Sequence, residues 1–162
     1  MKSIVAIAVF LLSSSQIMAQ GEVVKQKSLF FEMGGSGGFG SFNFEKSFYQ
    51  KEKNTLKWRV GLSILPIDKN NGVNIISPIM VHYLYGQSAH KLELGLGQGI
   101  TVTTKGSFYF LTTAALGYRY QKTSKRLFYR ATYTPLISYL LDFQVQQWAG
   151  LSIGYQLKHK AQ

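Results

Sequence analysis

The stretch Leu56-Lys57-Trp58-Arg59-Val60-Gly61-Leu62-Ser63-Ile64 decides the fold. Read with a period of two, Leu56, Trp58, Val60, Leu62 and Ile64 share one face of a strand, and Lys57, Arg59, Gly61 and Ser63 share the other. The first face is large and apolar; the second is small, polar or charged. A soluble barrel turns its apolar face inward and needs large side chains to fill the interior. Here the glycine lies with the charges. Small and charged side chains that interdigitate inside, with leucines outside, suit a narrow eight-stranded barrel in lipid.

The same division recurs. Leu92, Leu94 and Leu96 oppose Lys91, Glu93, Gly95 and Gly97. Leu151, Ile153, Tyr155 and Leu157 oppose Gly150, Ser152, Gly154 and Gln156. Strand patterns separated by turn residues fall at 28–36, 40–49, 56–65, 75–86, 90–101, 108–120, 127–134 and 148–157. The links at 50–55, 87–89 and 121–126 are polar and short. Those at 66–74 and 135–147 (PLISYLLDFQVQQ) are longer. The expectation is an all-β, eight-stranded, antiparallel up-and-down transmembrane β-barrel, with short periplasmic turns and longer extracellular loops. Because alternation is symmetric under exchange of faces, a soluble lipocalin-like exported barrel is the alternative arrangement.

The ends of the strands are aromatic. Phe48, Tyr49, Trp58, Tyr85, Tyr120, Tyr129 and Tyr155 fall near the short-turn side, as a headgroup-level girdle would. Trp148 and residues 108–110 fall near the other rim.

The N-terminus reads as a leader. Lys2 precedes the apolar run 4–12, serines break it, and Ala19 offers a cleavage site. Residues 1–19 are expected to be a signal peptide and 20–162 the barrel domain. The run is shorter than the roughly 20 residues a spanning helix needs. With no cysteine in the chain, disulfides do not stabilise the exported domain.

The formal charge of +11 is the balance of a nucleic-acid binder, but its distribution is not. The positives gather in connectors at Lys51, Lys53, Lys122, Lys125 and Arg126, and in the tail at Lys158 and Lys160. No basic helix or stripe is present, so no nucleic acid is expected. A rim that faces solvent or lipid headgroups fits better.

The predicted inner face holds Glu32, Glu45, Arg59, Glu93, Arg119 and Arg130, with Asn43 and His82 beside them. A one-residue slip would turn these charges to lipid, so they pin the register. The six are expected to form a lumen charge network, with arginine forks on carboxylates.

Three motifs compete with this reading. Gly35 to Gly40 matches G-x-G-x-x-G, but the following SFNFEKSF alternates as a strand, where a nucleotide site needs a helix. The glycines are instead expected to form the first hairpin at the outer rim and the upper lumen. Gly150 to Gly154 matches G-x-S-x-G, but inside a strand pattern and not at a strand-to-helix turn. His82, His90 and His159 show no metal-ligand spacing. No catalytic, cofactor or metal site is expected.

The segments EMGGSGGFGSFNFEK (32–46), RVGLSI (59–64), HKLELGLG (90–97), GYRYQ (117–121), YRATYTPL (129–136) and GLSIGYQL (150–157) together resemble the small outer-membrane β-barrel proteins of Bacteroidetes-type bacteria. In architecture these are similar to the OmpX and OmpA barrel domains. The resemblance implies outer-membrane placement, contact with lipid and lipopolysaccharide, and insertion by the barrel-assembly machinery. Such barrels often end on an aromatic residue; here Leu157 is followed by KHKAQ. The expected role is structural or interactive, in a monomer without catalysis. The 135–147 segment is the candidate surface for a protein partner. The alternative is a lipid A-modifying enzyme, which needs an outward His and Ser pair.

Overall fold

The structure is a computed structural model, and the residues it describes are 26–68, 72–104, 106, 108–138 and 143–157. The leader assigned to residues 1–19 lies outside them. Eight strands follow one another: β1 (Lys27–Gly34), β2 (Gly40–Lys51), β3 (Asn54–Asp68), β4 (Gly72–Tyr85), β5 (His90–Thr103), β6 (Phe108–Gln121), β7 (Leu127–Ser138) and β8 (Gln144–Gln156). Each pairs antiparallel with its neighbour in sequence, and β8 pairs with β1, so the sheet closes into an up-and-down barrel. Closure leaves no edge strand with unpaired backbone groups.

The period-two pattern sets which way each residue faces. In β7, Phe128, Arg130, Thr132 and Thr134 are buried, while Leu127, Tyr129 and Tyr133 are exposed. Across the barrel the buried set is mostly polar: Ser28, Glu32, Asn43, Glu45, Arg59, His82, Glu93 and Arg119 among others. Buried apolar side chains are few, with Phe30, Met80, Leu84 and Phe128 the largest. Phe42 and Leu96 instead stand 73% and 65% exposed. Water-soluble monomers rarely expose a contiguous apolar surface of this kind.

One irregularity explains an aromatic pair. Between Ser47 and Tyr49 the β2–β3 register shifts, leaving Phe48 as the extra residue of a bulge. Strict alternation would carry Tyr49 inward. The bulge opposes Tyr49 to outward-facing Leu56 and Gln50 to Thr55, so Phe48 and Tyr49 both stay on the rim of the wall.

The long loops expected at the end away from the termini are absent from the described residues. β3 runs to Asp68 and β4 starts at Gly72, so most of 66–74 is strand. Likewise Pro135–Ser138 and Gln144–Gln147 extend β7 and β8 and pair with each other, Pro135 with Gln147 and Ser138 with Gln144. Pairing continues through these segments although Leu136–Ile137 and Gln146–Gln147 break the polar–apolar alternation. The turn positions 69–71 and 139–142 lie outside the described residues. The barrel therefore projects by strand, not by loop, and 135–147 is wall for most of its length.

The β1–β2 hairpin is the shorter exception. Its turn folds back into the lumen as one turn of 3₁₀ helix, Gly35–Gly37, with Gly35, Ser36 and Gly37 buried. The Gly34 amide donates to the Phe39 carbonyl, closing the turn. Gly34 and Gly35 hold φ of 71° and 76°, a left-handed conformation that glycine adopts without a Cβ clash.

Candidate functional site

The inner wall brings all six of the expected charges into contact, in a row of alternating sign. Lys57 Nζ lies 2.8 Å from Glu45 Oε1. Glu45 accepts two parallel bonds from Arg119, 2.6 and 2.8 Å long. Arg119 Nε donates to Glu93 Oε2 at 2.9 Å. Glu93 Oε1 accepts from Arg130 Nη1 at 2.9 Å. Arg130 reaches on to Glu32, and Glu32 accepts from the Arg59 guanidinium. At the far end Arg59 Nε donates to Asn43 Oδ1 at 2.9 Å, and Asn43 in turn donates to the Ser41 carbonyl. All seven charged members are buried.

Four cations (Lys57, Arg59, Arg119, Arg130) face three carboxylates (Glu32, Glu45, Glu93), so the row carries one positive charge in excess. Each carboxylate lies between two cations. That arrangement offsets the cost of holding ions out of water, which an isolated buried charge cannot do. Breaking the row at its middle leaves two carboxylates each short of a partner.

Aromatic rings pack against the guanidinium planes. The Phe30 ring lies 4.9 and 4.6 Å from the Cζ atoms of Arg59 and Arg130, and Phe128 lies 4.6 Å from Arg119 Cζ. The rings meet edge-on at 5.9 Å. They supply both bulk and cation–π attraction where the wall bears little apolar mass.

His82 sits against the same row. Its Nδ1 lies 2.8 Å from Glu93 Oε1, a contact in which the ring is charged only if protonated. On the other side of Glu32 lies the glycine turn. A Cβ on Gly35 would fall 2.7 Å from the Glu32 carboxyl carbon. The turn thus closes over the row only because that position lacks a side chain.

Lys57 is the member the sequence reading left out, though it shares a face with Arg59 and its signal was equal. Phe30 and Phe128 were also readable as inward, since each lies two residues before a charged residue of the inner face, Glu32 and Arg130.

The serine of the G-x-S-x-G match gains no catalytic partner. Ser152 is buried in mid-β8, with Arg130 and Glu32 as its cross-strand neighbours, and its hydroxyl is unpartnered. No turn into a helix follows it. Among the described residues, no group of His, Asp and Glu could hold a metal ion.

Two cavities flank the row. One of about 240 Å³ opens at the end bearing the termini, lined by Gln50, Thr55, Lys91, Gln121 and Gln156 among others. One of about 480 Å³ lies at the opposite end, lined by Asn74, Ile76, Thr101, Tyr109 and Gln146 among others. The charge row and its rings fill the barrel between them.

No family model and no curated protein matches the chain. Among solved structures, it is similar to the N-terminal β-barrel domain of Pseudomonas aeruginosa OprF, at 12% identity and a TM-score of 0.57, covering 85% of this chain and 100% of that one. A de novo designed protein, TMB2.3, aligns over 83% of this chain and 96% of its own, at 12% identity and a TM-score of 0.47. At these identities the likeness to the OprF domain is one of fold: the chain is a closed, eight-stranded, antiparallel up-and-down β-barrel of the kind that domain forms.

Proposed function

We propose that this chain is an integral outer-membrane β-barrel with a structural or surface-interaction role and no catalysis, akin to the small barrels of Bacteroidetes-type bacteria. The observation that carries the reading is the inversion of the wall. Large apolar residues such as Leu62, Leu96 and Leu151 face outward and exposed, while seven ionic side chains are buried inside. In water that arrangement would be unfavourable on both faces; in a bilayer it is favourable on both.

The charge row stabilises and fills the lumen. It leaves no open channel through the middle for bulk solute, which speaks against a general porin. The outer wall meets lipid and lipopolysaccharide, the chain inserts through the barrel-assembly machinery, and it works as a monomer. The lipid A-modifying alternative needs an outward-facing serine and histidine, and Ser152 faces the lumen.

The test is membrane fractionation followed by electrophoresis of unboiled and boiled samples. The expected result is an outer-membrane band that shifts on boiling. A soluble periplasmic protein without a shift would overturn the reading.

A further inference from the structure

The end of the wall that bears the termini carries a cationic cluster at the foot of an apolar groove. Lys27 on β1 and Lys46 on β2 are direct cross-strand partners. Their strand neighbours Ser28 and Glu45 are buried, so both lysines project from the outer wall, Lys27 exposed and Lys46 half-buried. Among the described residues neither has an ion-pair partner. Like charges directly opposite each other destabilise a strand pair unless an anion lies between them. Arg126, just before β7, donates to the Tyr155 hydroxyl at 2.9 Å, and Tyr155 is the β8 partner of Leu29.

Directly above the lysines the wall is concave and greasy. The next outward pairs are Leu29 with Phe44 and Phe31 with Phe42. Together with Val60 and Leu62 on one side and Ile153 and Tyr155 on the other, they line an open groove of about 750 Å³. Trp58, the β3 partner of Lys46, packs its ring 5.3 Å from Phe44 at the groove's lower edge. From Lys27 to Phe31 the strand climbs ~14 Å, or ~10 Å of depth at a ~45° tilt. One leaflet's hydrocarbon is about 15 Å deep.

We infer that this groove is a binding site for one anionic glycerophospholipid of the leaflet on the termini side. Its phosphate sits between Lys27 and Lys46 within reach of Arg126, and an acyl chain lies along the phenylalanines. The inference rests on the membrane reading above. The charge complementarity selects the headgroup; the groove selects a lipid over a soluble phosphate.

The experiment uses the full chain in detergent micelles, native mass spectrometry, and two probes with identical acyl chains, phosphatidylglycerol and phosphatidylethanolamine. The wild type should retain phosphatidylglycerol preferentially. The double variant Lys27→Gln, Lys46→Gln should lose that preference by about thirtyfold, the scale of two interfacial lysines. The variant Lys27→Arg, Lys46→Arg should keep it. Each variant is first checked for the boiling-dependent band shift, and the two single glutamine variants serve if the double one does not fold. Equal retention of both lipids by the wild type, or an unchanged preference in the glutamine variants, would overturn the lipid site while leaving the barrel reading standing. A chain that stays folded and soluble without detergent would overturn both.

Discussion

Arg119 on β6 and Glu45 on β2 meet across the middle of the barrel through two parallel hydrogen bonds of 2.6 and 2.8 Å, although 74 residues separate them in the chain. The two strands lie on opposite sides of the closed sheet. A bidentate fork has a fixed geometry, so this pair acts as a strut that sets the barrel's cross-section.

The position of each residue in the row predicts what its loss costs. Arg119 and Arg130 each touch two carboxylates, whereas Lys57 touches one. Arg119→Leu and Arg130→Leu should each destabilise the barrel by about 3–5 kcal/mol, the cost of stranding buried partners. Lys57→Met should cost clearly less, because Glu45 keeps its Arg119 fork. Urea unfolding in lipid vesicles, followed by the fluorescence of Trp58 and Trp148, ranks the three. Equal losses at all three positions would show that the row does not act as a connected chain.

The glycine turn makes a second, independent claim. Gly35→Ala puts a methyl group against the Glu32 carboxyl carbon, in a backbone conformation of φ 76°. The left-handed backbone alone costs an alanine about 1–2 kcal/mol. Displacing Glu32 from Arg59 and Arg130 adds to that, so the loss should exceed the backbone cost. Gly106→Ala is the control, since it shares the positive φ at 84° but has nothing within 4 Å of its Cβ. A loss at Gly35 no greater than at Gly106 would sever the turn from the charge row.

Much of this was legible in the sequence because a closed wall has only two faces. Alternation through 56–64 and 150–157 assigns every residue to one of them, and a charge on the wrong face is costly enough to fix the parity. The same logic put Glu32, Glu45, Arg59, Glu93, Arg119 and Arg130 on one surface. It could not say that Arg119 reaches across to Glu45 as well as to its near neighbour Glu93, because that reach depends on barrel diameter and strand stagger. Strand ends were misread at 135–147, where Pro135 opens the segment and the alternation breaks. A proline gives up one donor only, and the pairing of Leu136, Ile137 and Ser138 beyond it continues. The Phe48 bulge was likewise invisible, since it only shifts the phase of the alternation by one.

The outward wall yields a third expectation. Leu94 on β5 is 45% exposed, with Tyr83 and Leu116 as its cross-strand partners. Leu94→Arg should lower the stability of the vesicle-inserted barrel by about 2–4 kcal/mol if the residue meets mid-bilayer lipid. Lys122→Ala, in the connector between β6 and β7, should change it by less than ~0.5 kcal/mol. A soluble barrel would tolerate an arginine at an exposed wall position, so an unaffected Leu94→Arg variant would count against the membrane reading.

The last expectation concerns the lumen itself. The two end cavities, about 480 and 240 Å³, are parted by the charge row and its two phenylalanines. The wild type should therefore give no steady current in a planar bilayer. Arg119→Ala removes the strut that crosses from β6 to β2, leaving three cations (Lys57, Arg59, Arg130) with three carboxylates in a lumen short of one large side chain. Water entering that gap solvates Glu45 and Glu93, which have lost a partner each, and connects the cavities for brief periods. Short openings in the variant, absent from the wild type, are the expected record. A steady wild-type current would mean the row does not seal the barrel. A silent variant would move the seal to the Gly34–Phe39 turn, whose own test is then the Gly35→Ala protein in the same bilayer.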